Sequence, residues 1–380
     1  MTAAPMKFLF VGTNPEHTGA ATHFVALAQA MAEAGHDVSA VVYPDGLIAQ
    51  GLAASNVRLY YAKFRNAFDP RGYRAVIAAI RQHRPDWLIG NFGKEYWPLI
   101  FCGRLMKVKV ALFRHRTPAM SRISGYLLPR LAQRFFAVSN YARQAYLDWG
   151  VPPQLVQILH NPVDMALYQP STSQRAEIRN QLGLDDDSIV VGYFGRMSEG
   201  KGIFTLLEAA NAAMLIEPKL HCLWVGDGPD AALLRERIAA QLQTAHRHHF
   251  TGWVHDVHPY YKAISVLAFP SKLPETFGRV AVEAQACEVP VLGSDIGGVP
   301  ETLQAGVTGF LLPPIDVDAW REAILAMTDN DRRQTMGAAA REFVAQHFST
   351  TVIAEEFANN LTGNPPAVGA SRASSGMHLG

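Results

Sequence analysis

Short apolar runs alternate with segments of helical periodicity along most of the chain. The runs are rich in β-branched and aromatic residues and are bounded by Gly, Asn, Pro or Ser, as is typical of buried strands. Segments of helix length, such as 18–34 and 70–83, separate them. In the first half the predicted strands are 8–12, 38–43, 57–61, 87–91, 109–114, 135–139 and 156–161. This alternation predicts one complete doubly wound unit with a parallel sheet.

The rhythm breaks at Asn161-Pro162-Val163-Asp164 and in the polar stretch that follows, and then a second set of strands begins. Those strands are predicted at 189–195, 220–226, 249–252, 266–270, 289–294 and 309–312. A helical pattern covers 334–361, and Gly, Pro, Ser and Ala dominate the residues after it. The predicted divisions are an N-terminal domain at 1–165, a second domain at 166–346, a C-terminal helix at 347–361 that packs back on the N-terminal domain, and a disordered tail at 362–380.

Two consecutive doubly wound domains direct the carboxyl ends of two sets of parallel strands toward one cleft. Open α/β sheets bind their ligands at these strand ends. The predicted fold is therefore α/β, with two Rossmann-like parallel-sheet domains that face a central cleft. The functional site is expected between the domains.

Composition narrows the class of protein. The 380 residues are 49% hydrophobic and 10% aromatic, which predicts folded cores and argues against disorder. No apolar run approaches the roughly 18 residues of a membrane span, and the net charge of +1 gives no sign of nucleic-acid binding. Cys102, Cys222 and Cys287 are far apart and form no CxxC pair, so neither a disulfide framework nor a zinc ribbon is expected. A reducing cytoplasm is the expected location.

The charge is unevenly divided along the chain. Residues 1–170 contain 18 Lys and Arg against 9 Asp and Glu, whereas residues 171–380 contain 16 against 24. No acidic residue lies between Glu95 and Asp148, where nine basic residues are interleaved with apolar ones. Such a segment can lie on an anionic membrane surface, here the inner face of the cytoplasmic membrane, or it can form the solvated face of helices around a core. The sequence leaves both interpretations open.

The segment 195–202 follows a predicted strand and opens a helix. Free N–H groups of a first helical turn suit an anion, and Arg196 and Lys201 add two cations, so the loop is a candidate diphosphate site. It is not a Walker loop, because Gly202 stands where Ser or Thr would follow the lysine. Taken alone, the segment is more typical of a Gly-rich strand-to-helix loop with two surface cations.

Two carboxylates lie eight residues apart in the next candidate segment. Glu275 precedes a helix predicted to begin near Gly278, and Glu283 lies in the second turn of that helix. The separation suits two ends of one extended ligand, with the N–H groups of 276–278 between them. Carboxylates are good acceptors for the hydroxyls of a diol. Apolar neighbours on both sides of Glu283 make an ordinary solvated glutamate a weaker interpretation.

These segments together resemble a retaining glycosyltransferase of family 4, which has the two-domain GT-B fold. The resemblance extends from about residue 8 to about residue 361, and its most specific part is the E-x7-E pair of Glu275 and Glu283. Supporting blocks are Gly195-Arg196 with Lys201-Gly202, Val225-Gly226-Asp227-Gly228-Pro229, Gly252-Trp253-Val254, Val138-Ser139 and Asn161-Pro162-Val163-Asp164. The sequence departs from the family's usual glycine at three positions, Ala20, Pro162 and Thr276. None of these departures removes a charged residue.

The resemblance implies a nucleotide-sugar donor on the second domain and an acceptor on the first. It assigns Arg196 and Lys201 to the leaving diphosphate, Glu283 to the ribose, and Glu275 with the amides of 276–278 to the donor sugar. His115 would lie near the reactive face of the sugar. The remaining donor-site residues that we predict are Thr276, Phe277, Gly278, Gly19, Gly226, Trp253 and Val254.

The activity implied is hexosyl transfer with retention, from UDP-sugar or alternatively GDP-sugar, to a glycan or lipid-linked acceptor in bacterial surface polysaccharide or lipopolysaccharide synthesis. Attack on the front face needs no metal or other cofactor. The DxD-like run Asp185-Asp186-Asp187 is better interpreted as a solvated turn. Two alternatives stay open at this point: a sugar-nucleotide epimerase of the same fold, and a noncatalytic protein that binds nucleotide-sugar or an anionic membrane.

Overall fold

The computed structural model of the protein describes residues 4–15, 18–116 and 120–363. The first domain has the strands β1 (Lys7–Gly12), β2 (Asp37–Val42), β3 (Arg58–Tyr61), β4 (Trp87–Gly90), β5 (Lys109–Arg114), β6 (Arg134–Ala137) and β7 (Gln157–Ile158). Its helices are α1 (Gly19–Glu33), α2 (Leu47–Leu52), α3 (Pro70–His83), α4 (Gly93–Met106), α5 (Arg122–Leu131) and α6 (Asn140–Leu147). The strands pair in parallel in the order β3-β2-β1-β4-β5-β6-β7.

The second domain repeats this plan. Its strands are β8 (Ile189–Phe194), β9 (Leu220–Val225), β10 (His248–Gly252), β11 (Val266–Phe269), β12 (Val291–Ser294) and β13 (Gly309–Leu312), in the parallel order β10-β9-β8-β11-β12-β13. The remaining helices are α7 (Thr172–Gln181), α8 (Ile203–Met214), α9 (Ala231–Ala239), α10 (His258–Ala263), α11 (Arg279–Ala286), α12 (Val317–Ala326), α13 (Asn330–His347) and α14 (Thr350–Thr362).

Burial on both faces of each sheet explains why the strands are apolar without alternation. In β1, the side chains of Phe8, Leu9, Phe10 and Val11 are all fully buried. Helices cover both faces of a parallel sheet, so residues that point to either face enter a core. The strand ends are then the parts of each sheet that are free to meet a ligand.

The helical pattern predicted at 334–361 is two helices in the structure, α13 and α14. Between them the chain pairs with the segment that joins the two domains, residues 161–164. Val163 N–H donates to Phe348 O at 2.7 Å, and Thr350 N–H donates to Val163 O at 3.1 Å. Ser349 then caps α14 by accepting from Val352 N–H. The predicted boundary between 346 and 347 lies close to this break, but the pairing could not be predicted, because its partner lies almost 200 residues away along the chain.

The helix α14 packs on the N-terminal sheet. The fully buried ring of Phe357 lies 6.0 Å from that of Phe8, 5.4 Å from Phe113 and 5.5 Å from Phe136, measured between ring centroids. The predicted tail at 362–380 lies outside the described residues from 364 onward. Among the described helices, none has the length and apolar character needed to cross a bilayer.

The polar stretch after the interdomain segment contains a helix, α7, that the sequence analysis did not predict. Ser171 caps it, and Arg179, only 1% exposed, donates to the backbone oxygens of Ala263, Asp185 and Asp186. The side chain of a charged residue in a polar stretch of sequence is expected to be exposed to solvent. Here the guanidinium is buried because carbonyls from two other segments satisfy it.

Replacing Phe357 by Ala should destabilise the N-terminal domain by about 3–5 kcal/mol, because it leaves a cavity between α14 and the sheet. Urea titration followed by circular dichroism measures this change. The matched control is Phe68→Ala, whose ring is 89% exposed, and its effect should stay within about 0.5 kcal/mol. Equal effects of the two substitutions would contradict the packing described for α14.

Candidate functional site

A carboxylate of the second domain connects the two domains beside the cleft. Glu301 accepts from Asn140 N–H at 2.7 Å and from Tyr141 N–H at 2.9 Å, at the amino end of α6. Ser139, which caps the same helix, donates its hydroxyl to the backbone oxygen of Thr276. Burial raises the pKa of Glu301, but hydrogen bonds from His160 and from these two amides outweigh it and the net pKa is lowered.

The cleft between the domains has a volume of about 650 Å³ and is bounded by strand ends of both sheets. An adjoining cavity of about 870 Å³ lies within the second domain. Phe194, Gly195, Arg196 and Val280 line both, so the two spaces form one continuous site. The predicted site residues that line the cleft are Gly19, His115, Arg196, Lys201, Glu275, Thr276, Phe277 and Gly278. Those that line the adjoining cavity are Gly226, Trp253, Val254 and Glu283.

The loop after β8 brings its two cations to the wall of the cleft. Gly202 has a φ of +72°, and a Cβ there would lie 1.7 Å from Pro270 O, so only glycine fits. This close approach directs Lys201 to the loop that carries Glu275, with which its ammonium group forms an ion pair. Ser271 donates its hydroxyl to the same carboxylate oxygen at 2.6 Å. Arg196 is exposed, and its guanidinium makes no hydrogen bond to the described residues.

Glu283 is only 6% exposed and is held by two side chains that the sequence analysis did not select. Arg279 donates to its Oε1 at 2.7 Å, and the hydroxyl of Tyr261 donates to its Oε2 at 2.9 Å. Burial and the neighbouring carboxylate raise the pKa of Tyr261 well above its ordinary value. Arg279 precedes Glu283 by four residues, and this helical spacing was a usable signal for the ion pair. Tyr261 comes from another helix, and no local pattern marks it.

His115 lies directly after β5, and its Nε2 atom is buried without a hydrogen-bond partner. Its ring centroid is 4.5 Å from that of His23. Burial, followed by the positive charges of Arg279 and Arg114, lowers the pKa of His115 to about 3. The imidazole is therefore neutral near pH 7, and it can offer a hydrogen bond to a substrate but no fixed positive charge.

The loop that leads from β1 to Gly19 is held by a buried glutamate, also absent from the sequence prediction. Glu95 Oε1 accepts from Thr13 N–H at 2.7 Å and from the Thr13 hydroxyl at 2.6 Å. Lys94 donates to Thr13 O at 2.9 Å. Burial raises the pKa of Glu95 to about 7, against the opposing effect of the Thr13 hydrogen bonds. These contacts place the loop after β1 at the edge of the cleft, where Gly19 lies against the stem of Arg279.

Known proteins match both domains of the chain. Residues 17–167 match the family model described as Glycosyltransferase Family 4, and residues 174–343 match Glycosyl transferases group 1. A D-inositol 3-phosphate glycosyltransferase of Kribbella flavida is 31% identical over 75% of this chain and 70% of its own length. An alpha-maltose-1-phosphate synthase of Mycolicibacterium smegmatis is 30% identical over 59% of this chain and 62% of its own.

Solved structures share the fold over nearly the whole length. Anabaena HepE in complex with UDP and glucose is 24% identical, covers 94% of this chain and 100% of its own, and has a TM-score of 0.79. A glycosyltransferase of Rickettsia africae is 18% identical, covers 95% and 100%, and has a TM-score of 0.83. The two-domain α/β architecture predicted from the sequence is confirmed by these likenesses and by the two parallel sheets.

Glu95→Gln should become progressively more stable than the parent chain as the pH rises from about 4.5 to 8. The folded pKa of Glu95, about 7, exceeds its ordinary value of 4.5, so folding takes up a proton in this range. The stabilising contribution of the carboxyl group is full below pH 4.5 and is lost as the pH rises through 7. Glutamine does not titrate, so the difference in unfolding free energy should grow by at most roughly 3 kcal/mol.

Chemical denaturation at pH 5, 6, 7 and 8 measures that difference. Glu33→Gln, at an exposed position on α1, is the control and should give a constant difference. A constant difference for Glu95→Gln as well would show that the carboxyl group does not titrate as described.

Proposed function

We propose that this chain, which belongs to glycosyltransferase family 4 as its motifs predicted, transfers a hexose from a nucleoside-diphosphate sugar with retention of anomeric configuration. That it is a glycosyltransferase follows from the family; the hexose, the retention and the identity of both substrates are the proposal. The donor occupies the second domain and its adjoining cavity. The acceptor enters the cleft from the N-terminal domain.

The observation that carries this proposal is the pair of cations at the wall between the two spaces. Arg196 lines both spaces, and Lys201 lines the cleft. A diphosphate placed there gains negative charge as the bond to the sugar breaks, and fixed cations stabilise it more in the transition state than in the ground state. Since these two residues supply the positive charge, we propose that transfer needs no divalent metal.

The donor's other groups have matching surroundings. Glu283 lines the adjoining cavity, and Arg279 and Tyr261 orient its carboxylate, whose remaining lone pairs suit the hydroxyls of a ribose. Gly226, Trp253 and Val254 border the cavity in which a base would lie. UDP is the nucleotide we propose first and GDP second, and the fold is shared with HepE, which was solved with UDP.

The acceptor is proposed to carry a phosphate group. The N-terminal half has an excess of basic residues, and the relative from Kribbella flavida is named for an inositol phosphate. A lipid-linked acceptor in bacterial surface polysaccharide or lipopolysaccharide synthesis fits the same charge and is the second candidate. Both offer a hydroxyl for transfer and an anionic group for binding.

Incubation with a panel of UDP-, GDP- and ADP-sugars should release the nucleoside diphosphate slowly from one donor, and addition of EDTA should leave the rate unchanged. Lys201→Ala should lower that rate by about 100-fold or more, because a preorganised charge on the leaving group is lost. Lys219→Ala removes an exposed lysine of the same domain and should have no effect. Conversion of the donor into a second nucleotide-sugar, or an unchanged rate in Lys201→Ala, would refute the proposal.

We also propose that one face of the N-terminal domain contacts an anionic membrane. The outer surfaces of α4 and α5 expose apolar and basic side chains side by side. Phe101 is 54% exposed, Leu105 59% and Ile123 71%, and Arg104 and Arg122 are exposed beside them. Apolar side chains can enter the headgroup region while each nearby cation contributes about 1 kcal/mol.

Ile123→Glu should reduce flotation with vesicles of equal parts phosphatidylglycerol and phosphatidylcholine, since it places a negative charge in the proposed contact. Leu242→Glu, at an 88% exposed position of the second domain, is the matched control and should float like the parent chain. Equal flotation of the parent chain with purely phosphatidylcholine vesicles would refute the membrane proposal.

A further inference from the structure

The cleft contains a buried arginine without a counter-ion in the described part of the chain. Arg114, the last residue of β5, is 7% exposed and lines the cleft. Its Nε and Nη2 atoms are buried without a hydrogen-bond partner, and no described carboxylate lies within ion-pair distance. Burying an uncompensated charge is strongly unfavourable for folding. A chain that keeps such a group at the edge of a cleft has a stability deficit that a bound anion would remove.

The groups around Arg114 do not neutralise it. The hydroxyls of Tyr96 and Tyr146 interact with the guanidinium as neutral polar partners, because burial raises the pKa of both, so neither balances its positive charge. The Tyr96 hydroxyl donates to Phe113 O. Glu95 lies in the first turn of α4 itself, but its Oε1 accepts from Thr13 and burial raises its pKa to about 7, so it is only partly ionised near pH 7.

Other positive groups converge on the same part of the cleft. The Nη1 atom of Arg114 lies 3.8 Å from the point where a Cβ on Gly93 would stand, at the first residue of α4. This 14-residue helix begins at the edge of the cleft with its positive dipole end, where the N–H of Glu95 donates to Phe92 O and the N–H groups of Gly93 and Lys94 have no partner in the helix. Arg116 lines the cleft on the same side, and Arg279 on the opposite wall has a buried Nη1 without a partner.

The cleft therefore contains more positive charge than a donor diphosphate would neutralise. Arg196 and Lys201 are assigned to that diphosphate, and the one glutamate among the described lining residues, Glu275, is paired with Lys201. This leaves Arg114 and Arg116, which line the cleft from the N-terminal domain. Two anionic groups on different substrates account for both sets.

We propose that Arg114 and the amino end of α4 form a subsite for a phosphate monoester on the acceptor. That the phosphate belongs to the acceptor rests on the proposed function, whereas the anion site itself does not. A guanidinium fork can bind two phosphate oxygens, and the third can accept from the first-turn amides of α4. A dianionic phosphate balances both positive elements, whereas a carboxylate carries one charge and two oxygens. The substrate class selected is thus a hydroxyl compound that carries a phosphate.

The test uses inorganic phosphate as the probe and the full chain with Lys201→Ala as the background, in which the donor wall has lost one cation. Isothermal titration should detect phosphate binding in this background. Adding Arg114→Met should weaken that binding by about 10- to 100-fold, the effect of losing charge-assisted hydrogen bonds. Lys219→Ala in place of Arg114→Met is the control and should leave binding unchanged.

Thermal unfolding in phosphate-free buffer separates binding from a structural role. Because the substitution removes an uncompensated buried charge, Arg114→Met alone should melt at the same temperature as the parent chain or higher. Phosphate should then raise the melting temperature of the parent chain but not that of the variant. Unchanged phosphate affinity in Arg114→Met, a large loss of stability in that variant, or equal binding of acetate and phosphate would each overturn the proposal.

Failure of this proposal and failure of the proposed function give different results. If phosphate binding depends on Arg114 but the chain releases no nucleoside diphosphate from any donor, the subsite is supported and the transferase proposal is refuted. If the chain releases the nucleoside diphosphate but the Arg114→Met variant binds phosphate as tightly as the parent, the subsite is refuted and the transferase proposal is supported.

Discussion

The contact of Glu301 with the amino end of α6 determines how the two domains face each other. The carboxylate accepts two backbone N–H groups of the other domain, and the helix dipole favours its negative charge. Hydrogen bonds to a charged group typically contribute about 1.5–3 kcal/mol each. With the Ser139 hydroxyl on Thr276 O, this contact brings the loop of Glu275 against the strand ends of the N-terminal sheet.

The charged side chains that line the cleft are incompletely paired within the protein. Outside the cleft the fold itself can satisfy a buried charge, as three backbone carbonyls satisfy Arg179. In the cleft, Arg114 and Arg279 keep unpaired donors, and the guanidinium of Arg196 makes no hydrogen bond to the described residues. Unsatisfied polar groups lower the stability of the empty protein and strengthen the binding of an anion that completes them. The unpaired donors of Arg114 and Arg279 are therefore available to an anionic substrate in the cleft.

The basic segment between Glu95 and Asp148 serves several purposes in the structure. Arg134 donates to Asn360 O at 2.6 Å and so holds the C-terminal helix, while Arg143 donates to Val156 O at 2.8 Å. Arg114 enters the cleft, and Arg104 and Arg122 remain on the surface with exposed apolar neighbours. A single run of like charges therefore divides into structural, substrate-binding and surface groups. The fold decides this division through the direction in which each element points.

The sequence alone determined the succession of strands, the class of the fold and the motifs of the donor wall. These features are local: a strand, a Gly-rich turn and a helix each depend on neighbouring residues, and Glu275 and Glu283 are eight residues apart. Only the tertiary structure decided which groups complete the site. Glu95 meets Thr13 across 82 residues, and Glu301 meets Asn140 across 161. Such contacts, and the lack of one at Arg114, follow from the packing of strand ends and domains, which no local pattern of residues specifies.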